Sequence, residues 1–454
     1  MTRWQVWALK SSVVGLVAVA LMADPRITAQ QPGPAAARTP LALVGGTLID
    51  GTGAASVRDS VVLIVGDRIE KVGTVASLPV PAGYTKVSTE GMTVLPGLWD
   101  PHVHLIYGGH PDLIYWLGKY APQFERVTIP ASARQMLLAG VTSVRDLGAP
   151  YQSIVSVRKQ IASGTLPGPT IYTAGMVLMN GAPPAMTHVW SVGDAADAAA
   201  KTRQLIDAGM DIIKVANAEQ IGIAPFRAIV KEAHARQRKV TAHGRTDAEI
   251  RLGLSAGVDE FQHIGTASAE YPSDIVATIR KRVKTGPPLY WSLTVGAQLN
   301  EAYLANNPEL LEDPSAFIGL PAAIEADVRQ AIAKRKAAKA DPQVRSVIKR
   351  KVSQLRSLGV QFVFGSDVGG FGANTTQGTW LELDAWVREL GIEPMRALKY
   401  ATQDAADYIG VGRDAGSIAA GKYADVIAVK GDPLRSMTTL RDPAVVVKLG
   451  RRYK

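Results

Sequence analysis

From residue 41 onward the chain alternates short apolar runs with polar stretches. Residues 41–49 and 61–69 are apolar runs broken by glycine-containing turns at 50–53 and 66–67, the punctuation of β-structure. The C-terminal end has the same texture. Residues 424–429 and 444–449 are valine-rich and are separated by Gly431-Asp432-Pro433. Neither piece is long enough to bury a two-layer core by itself. The pattern therefore predicts one small β-sandwich made from both termini, residues 41–95 and 413–454, with the middle of the chain inserted between them.

The middle, residues 96–412, repeats an apolar run followed by a helical stretch, the βα rhythm of a parallel barrel. Eight candidate strands centre on residues 94–104, 143–146, 170–173, 212–215, 240–243, 260–263, 290–293 and 362–367. Helical patterns lie between most of them, as at 195–208, 225–236 and 249–256. The predicted fold class is α/β, a (β/α)8 TIM-like barrel. Residues 300–357 form a charged helical insertion before the last strand, a length suited to shaping a substrate mouth.

The first 40 residues break this rhythm. Arg3 and Lys10 precede a short apolar run at 13–22 and then small residues. That is the layout of an export signal, residues 1–29, with cleavage after Ala29 or, alternatively, Ala23. The run is too short to span a bilayer comfortably, and QPGPAAARTP ahead of the first strand extends a linker over residues 30–40. The expectation is an exported chain, periplasmic or secreted, with no stable membrane span after cleavage. With no cysteine in 454 residues, disulfides and thiolate metal sites are excluded, and any metal must be held by histidine and carboxylate-type ligands. The net charge of +10 sits largely in residues 334–350 and 448–454. Such runs read as solvated basic faces rather than a nucleic-acid footprint.

Chemistry enters at the strand ends, because polar residues there converge on one mouth of a parallel barrel. The first predicted strand ends in Asp100-Pro101-His102-Val103-His104. His102 and His104 are two apart, so an extended strand points both to one side. Lys214, His243, His263 and Asp367 each follow an apolar run at the ends of the fourth, fifth, sixth and eighth strands. Taken singly, each has an ordinary explanation: a hydrogen-bonded core histidine, a snorkelling lysine, a turn aspartate. Taken together, four of the seven histidines lie at ends that ring one mouth, and the set reads as a metal site.

These residues also carry a resemblance. Pro96-Gly97-Leu98-Trp99-Asp100 leading into His102-Val103-His104 is similar to the signature of the amidohydrolase superfamily. So, in order, are 140–146, the His243 and Gln262-His263 segments, Gly365-Ser366-Asp367 and 421–425. The pattern most resembles imidazolonepropionase-like and prolidase-like members, including Xaa-Pro dipeptidase-type enzymes, and runs from residue 41 to the C-terminus. The resemblance implies a distorted barrel with a flanking β-sandwich. It further implies two divalent metal ions, zinc by preference, one held by His102, His104, Lys214 and Asp367 and the other by Lys214, His243 and His263, with Lys214 N6-carboxylated as the bridge. A lysine buried among Ile212, Ile213 and Val215 loses basicity, so its neutral amine can react.

The function expected is hydrolysis of an amide in a small molecule, a dipeptide such as Xaa-Pro or an N-acyl amino acid, with Asp367 moving the proton. Opening of a cyclic amide or deamination at a mononuclear centre is the alternative enzyme. A binding protein that kept the fold without chemistry is the alternative of another class, and no ligand is missing to favour it. Tyr107, His188, Asn217 and Arg245 are the candidate substrate contacts. His110 and Glu219 are further loop candidates, Arg145 and Asp146 suit an internal salt bridge, and His234, in a helical stretch, suits a structural role. The assembly is open between a monomer and a homo-oligomer.

Overall fold

In the computed structural model, residues 39–299, 303–304, 307–334, 341–369 and 375–454 are described. The predicted export signal and nearly all of the linker lie outside them. The N-terminal strands are β1 (Leu41–Leu48), β2 (Val57–Val65), β3 (Arg68–Thr74), β4 (Thr85–Ser88) and β5 (Met92–Pro96). The parallel strands follow as β6 (Leu98–Val103), β7 (Val141–Asp146), β8 (Thr170–Thr173), β9 (Val177–Leu178), β10 (Val189–Trp190), β11 (Ile212–Val215), β12 (Lys239–His243), β13 (Glu260–Gln262), β14 (Tyr290–Ser292) and β15 (Gln361–Val363). The chain ends in β16 (Val426–Lys430), β17 (Val445–Lys448) and β18 (Arg451–Arg452).

Strands from the two ends of the chain share one eight-stranded sheet, ordered β18-β17-β16-β5-β1-β2-β3, with β4 paired to β1. The join is the antiparallel register of β16 on β5, from Val426 opposite Pro96 to Lys430 opposite Met92. Leu43, Val62, Val94, Val426 and Val447 bury one face of it together. β-branched residues fit a pleated, half-buried surface, and the valine-rich runs of both ends form strands of this one sheet. The basic tail is corrected in one respect. Lys448 is only 5% exposed and its Nζ lies 2.6 Å from the Asp425 carboxylate, whereas Arg451 and Arg452 face solvent.

The middle of the chain is α/β with parallel strands in two sheets, β6-β7-β8 and β10-β9-β11-β12-β13-β14-β15. The predicted strand 94–104 is two strands. Gly97 donates its backbone N–H to Asp425 O, which turns β5 into the terminal sheet and leaves β6 with the parallel strands. The last predicted strand is also shorter than expected, with β15 ending at Val363. The residues after it still reach β6, because Asp367 N donates to His102 O at 2.8 Å and Val103 forms a parallel bridge with Val368. The insertion contributes the helices Ala322–Lys334 and Pro342–Ser357. No helix among the described residues is long and apolar enough to cross a membrane.

Candidate metal centre

The C-terminal ends of β6, β13 and β15 bring His102, His263 and Asp367 together, each offering a ligand atom within 4.8 Å of the others. Asp367 Oδ1 lies 3.2 Å from His102 Nε2 and 3.3 Å from His104 Nε2, and its Oδ2 lies 3.8 Å from His263 Nδ1. The His243 ring sits 4.8 Å from that of His263, centroid to centroid. Lys214 is 1% exposed at the end of β11. The structure thus gathers the predicted histidines and Asp367 in one buried place.

The local backbone is built around this meeting point. His263, Thr294 and Asp367 all adopt left-handed φ, at 75°, 45° and 57°. Such conformations are costly for residues other than glycine and persist where their surroundings over-determine them. Here those surroundings are hydrogen bonds. Trp291 Nε1 donates to His263 O at 2.7 Å, and the Thr294 hydroxyl meets His263 Nδ1 at 2.8 Å. Asp100 does the same for the other side. Its fully buried carboxylate accepts from Ser366 N (3.0 Å), Ser366 Oγ (2.6 Å) and Thr379 Oγ1 (2.7 Å), tying the loop that carries Asp367 to the strand that carries His102. Gly365 makes that approach feasible, since a Cβ there would stand 2.6 Å from His102 Cβ and 2.5 Å from Ser292 Oγ. Asp146 accepts from Leu105 N and Gly148 N and so fixes the turns after β6 and β7.

Electrostatics follow from burial. Desolvation lowers His102 to about 4 and holds His243 and His263 well below the usual imidazole value. It brings Lys214 down to about 7. Burial by itself would push Asp367 up, but His102 and His104 beside it overcome this and hold its carboxyl well below the usual range. The result is a buried pocket in which desolvation disfavours the charged form of His102, His243 and His263 beside the Asp367 carboxyl. The contact of His102 Nε2 with Asp367 falls outside hydrogen-bond geometry, so both His102 ring nitrogens are buried without a hydrogen-bond partner, as are His243 Nδ1 and Lys214 Nζ. Buried polar atoms are almost always satisfied. Buried nitrogens without partners next to a carboxylate suit a divalent cation, and the donor set fits one.

Of the four candidate substrate contacts, Tyr107 and His188 come to the site together. The Tyr107 ring stacks at a tilt on His104, 4.8 Å away, and its hydroxyl is 3.3 Å from His188 Nε2. His188 is brought in because its carbonyl accepts from Val177 N, folding the loop back. Arg245 Nη2 lies 3.3 Å from His263 Nε2. Asn217 Nδ2 donates to Asn180 O, joining two loops. Glu219 takes the Thr246 hydroxyl. His110 packs on Tyr115 and Trp116 while its Nδ1 meets the Asp112 backbone. His234 pairs with Asp259 on a helix, in the structural role its sequence suggests. Arg145 forms its internal salt bridge with Glu260 rather than with Asp146. Asp100 and Thr294 are site residues that strand-end reasoning passed over. Asp100 lay in the quoted motif, whereas nothing in the sequence marks Thr294.

The chain matches the model of the amidohydrolase family over residues 93–452. It belongs to that family and is a hydrolase of carbon–nitrogen bonds. Ochratoxinase of Aspergillus niger is 28% identical over an alignment spanning 91% of this chain and 86% of that protein. Among solved structures, a putative prolidase from Bifidobacterium longum superposes with a TM-score of 0.70 at 24% identity, covering 92% of this chain and 96% of the other. Phenylurea hydrolase B superposes with a TM-score of 0.70 at 21% identity, covering 92% and 97%. The chain shares its fold with both.

Proposed function

We propose that this enzyme hydrolyses the amide of a small molecule, a dipeptide such as Xaa-Pro or an N-acyl amino acid, at a centre holding two divalent metal ions. The observation that carries this is the set of buried, unpartnered ligand atoms on His102, His243 and Lys214 around the Asp367 carboxylate. His102, His104, Lys214 and Asp367 would hold one ion and Lys214, His243 and His263 the other, with zinc best suited to imidazole and oxygen donors. When bound, the ions supply Lewis acidity at the scissile carbonyl and make water acidic enough to ionise near neutral pH. The proton chemistry falls to Asp367. Buried and held ionised, it accepts the proton of the attacking water and passes it to the leaving nitrogen as the C–N bond breaks. Lys214, its basicity lowered by burial, would add CO2 through its neutral Nζ and release one proton to solvent, and the resulting N6-carboxylate would be an anionic oxygen ligand for both ions. Tyr107 and His188, linked through the Tyr107 hydroxyl, form one wall for the acyl part.

The finer fold belongs to the same reading. The two parallel sheets are arcs of one eight-stranded barrel, supported by the Val103–Val368 bridge on one side and by Asp211 N donating to Thr173 O on the other. The barrel spans residues 96–412. Residues 41–95 and 413–454 make the flanking sandwich, of which the eight-stranded sheet is a layer. The mature enzyme is exported, to the periplasm or outside the cell, and its N-terminus read by mass spectrometry falls after Ala29 or Ala23.

The test is metal content beside hydrolysis of a panel of dipeptides and N-acyl amino acids. About two metals per chain with amide cleavage is the expected result. One metal and no cleavage of linear amides would transfer the reading to cyclic-amide opening or deamination. Asp367→Asn should lower turnover by about a thousandfold or more while most of the metal stays bound. Turnover near wild type would remove Asp367 from its role.

A further inference from the structure

The stretch that follows His263 is gripped by the insertion. Three residues of the helix Pro342–Ser357 hold it along its length. Lys351, only 2% exposed, donates from Nζ to Gly265 O at 2.8 Å and to Ser268 Oγ at 2.9 Å. Its ammonium also lies 4.7 Å from the centre of the Tyr271 ring. Arg350 Nε donates to Ala269 O at 3.4 Å, and Gln354 Oε1 accepts from Tyr271 N at 2.9 Å. The Tyr271 ring in turn meets Trp291, 5.5 Å between centroids, and Trp291 Nε1 is the donor to His263 O. The grip also runs sideways. Ser268 Oγ donates to Asp247 Oδ1 at 3.1 Å, and Asp247 opens the helix Asp247–Ala256 that follows the His243 loop. At Gly265 a Cβ would fall 1.7 Å from Arg245 O, so the two loops touch backbone to backbone. Thr246, beside Asp247, donates its hydroxyl to Glu219, in the short helix after Lys214.

A buried ammonium is unfavourable unless its donors are filled, and a methionine would occupy the same space with no such requirement. Packing alone therefore does not call for lysine here. What the lysine adds is direction: two hydrogen bonds and a cation on an aromatic face fix where residues 265–271 sit. Direction matters because His263 holds a left-handed φ of 75°, a conformation that persists only where its surroundings impose it. We propose that Lys351 is a positioning residue for the metal centre, holding the loops after β13 and β12 so that His263 and His243 keep the spacing that one ion needs. The Asp100 carboxylate does the corresponding job for His102 and Asp367. The insertion thus sets the affinity of the ion on the His243–His263 side and leaves the other side alone. This rests on the metal reading above and extends it to a residue outside the ligand set.

The test is zinc binding, measured by competition with a chelator on the purified protein, for wild type, Lys351→Met, Ser268→Ala and Lys448→Met. Breaking the Lys448–Asp425 pair in the terminal sheet controls for lost stability alone. Lys351→Met should weaken one of the two ions by about tenfold and the other by less than about twofold, the low end of what partners behind metal ligands contribute. At limiting zinc its kcat should fall with KM unchanged, and excess zinc should restore kcat. Ser268→Ala, which keeps the Gly265 bond, should weaken the same ion by about threefold, and it decides the matter should Lys351→Met not fold. Lys448→Met should unfold at lower urea with both zinc affinities intact. Unchanged affinities in Lys351→Met and Ser268→Ala, equal weakening of both ions, or a Lys448→Met that weakens zinc as much would overturn the assignment. A wild type that holds a single ion removes the two-metal reading, and Lys351 is then judged on that ion by the same loss of about tenfold. Ion-selective weakening in a protein that cleaves neither dipeptides nor N-acyl amino acids would keep Lys351 in its role and sink the substrate reading instead.

Discussion

Two buried polar clusters lie among the parallel strands, and they differ in one property. Away from the candidate metal centre, Arg145 on β7 donates to Pro101 O at 2.6 Å and to Glu260 on β13 at 2.8 Å, while the Tyr408 hydroxyl donates to the other Glu260 oxygen at 2.8 Å. Burial would push Glu260 up, but Arg145 holds it below its usual value. Apart from Arg145 Nη1, this cluster closes on itself. At the centre, His102, His243 and Lys214 are equally buried and leave nitrogens with nothing to bond. A closed cluster holds strands together. An open one is incomplete protein, and what completes it comes from outside the chain.

The comparison predicts opposite signs for similar changes. Glu260→Met should destabilise the protein by about 3–5 kcal/mol, because it strands the Arg145 charge in the interior. Urea unfolding of the metal-free protein measures this, and a loss under about 1 kcal/mol would mean that water already solvates Arg145. Replacing Arg145 as well, with a methionine, should recover much of the loss, since it is the unpaired charge that costs.

Lys214→Met should go the other way and be smaller. It removes a buried amine that bonds to nothing and keeps the apolar volume, so the metal-free protein should gain about 1–3 kcal/mol. The same variant should bind less metal than wild type and lose hydrolytic activity. A metal-free protein that is weaker than wild type would show that Lys214 has a partner in the free state, and the two clusters would no longer be different in kind.

The same distinction governs how much could be read from the sequence. Strand ends were legible because apolar runs stop where the chain turns polar, and β8 and β11 fall where the pattern put them. The meeting of His102, His263 and Asp367 was legible because histidine at such ends is conspicuous. The break of β5 from β6 was not, since one glycine inside an apolar run does not say which sheet each half joins. Thr294 was hidden for a related reason. Its role comes from a left-handed backbone and a neighbouring strand, and neither leaves a periodic trace. The bond from Asn217 to the Asn180 carbonyl was not legible either, because a polar loop residue can face a neighbouring loop as readily as a substrate.

Glu382 is the intermediate case and gives the finest test. It lies on the helix Gly378–Arg388, fully buried, and accepts N–H groups from Val295 (2.9 Å), Gly296 and Trp386 (2.6 Å), with no cation opposite among the described residues. Burial outweighs those donors and pushes its carboxyl up to about 8. The folded protein then keeps a proton that the unfolded chain releases near its ordinary value of 4.5. The stability Glu382 contributes is therefore fully present below that pH and is lost as pH rises toward 8, by up to about 1.4 kcal/mol per unit. Glu382→Gln, neutral throughout, lacks this slope, so wild type should lose ground to the variant steadily from pH 5 to pH 8 in urea midpoints. Parallel curves would mean that the three N–H donors hold the carboxylate ionised, and that donors alone, without a cation, suffice to close a buried acid.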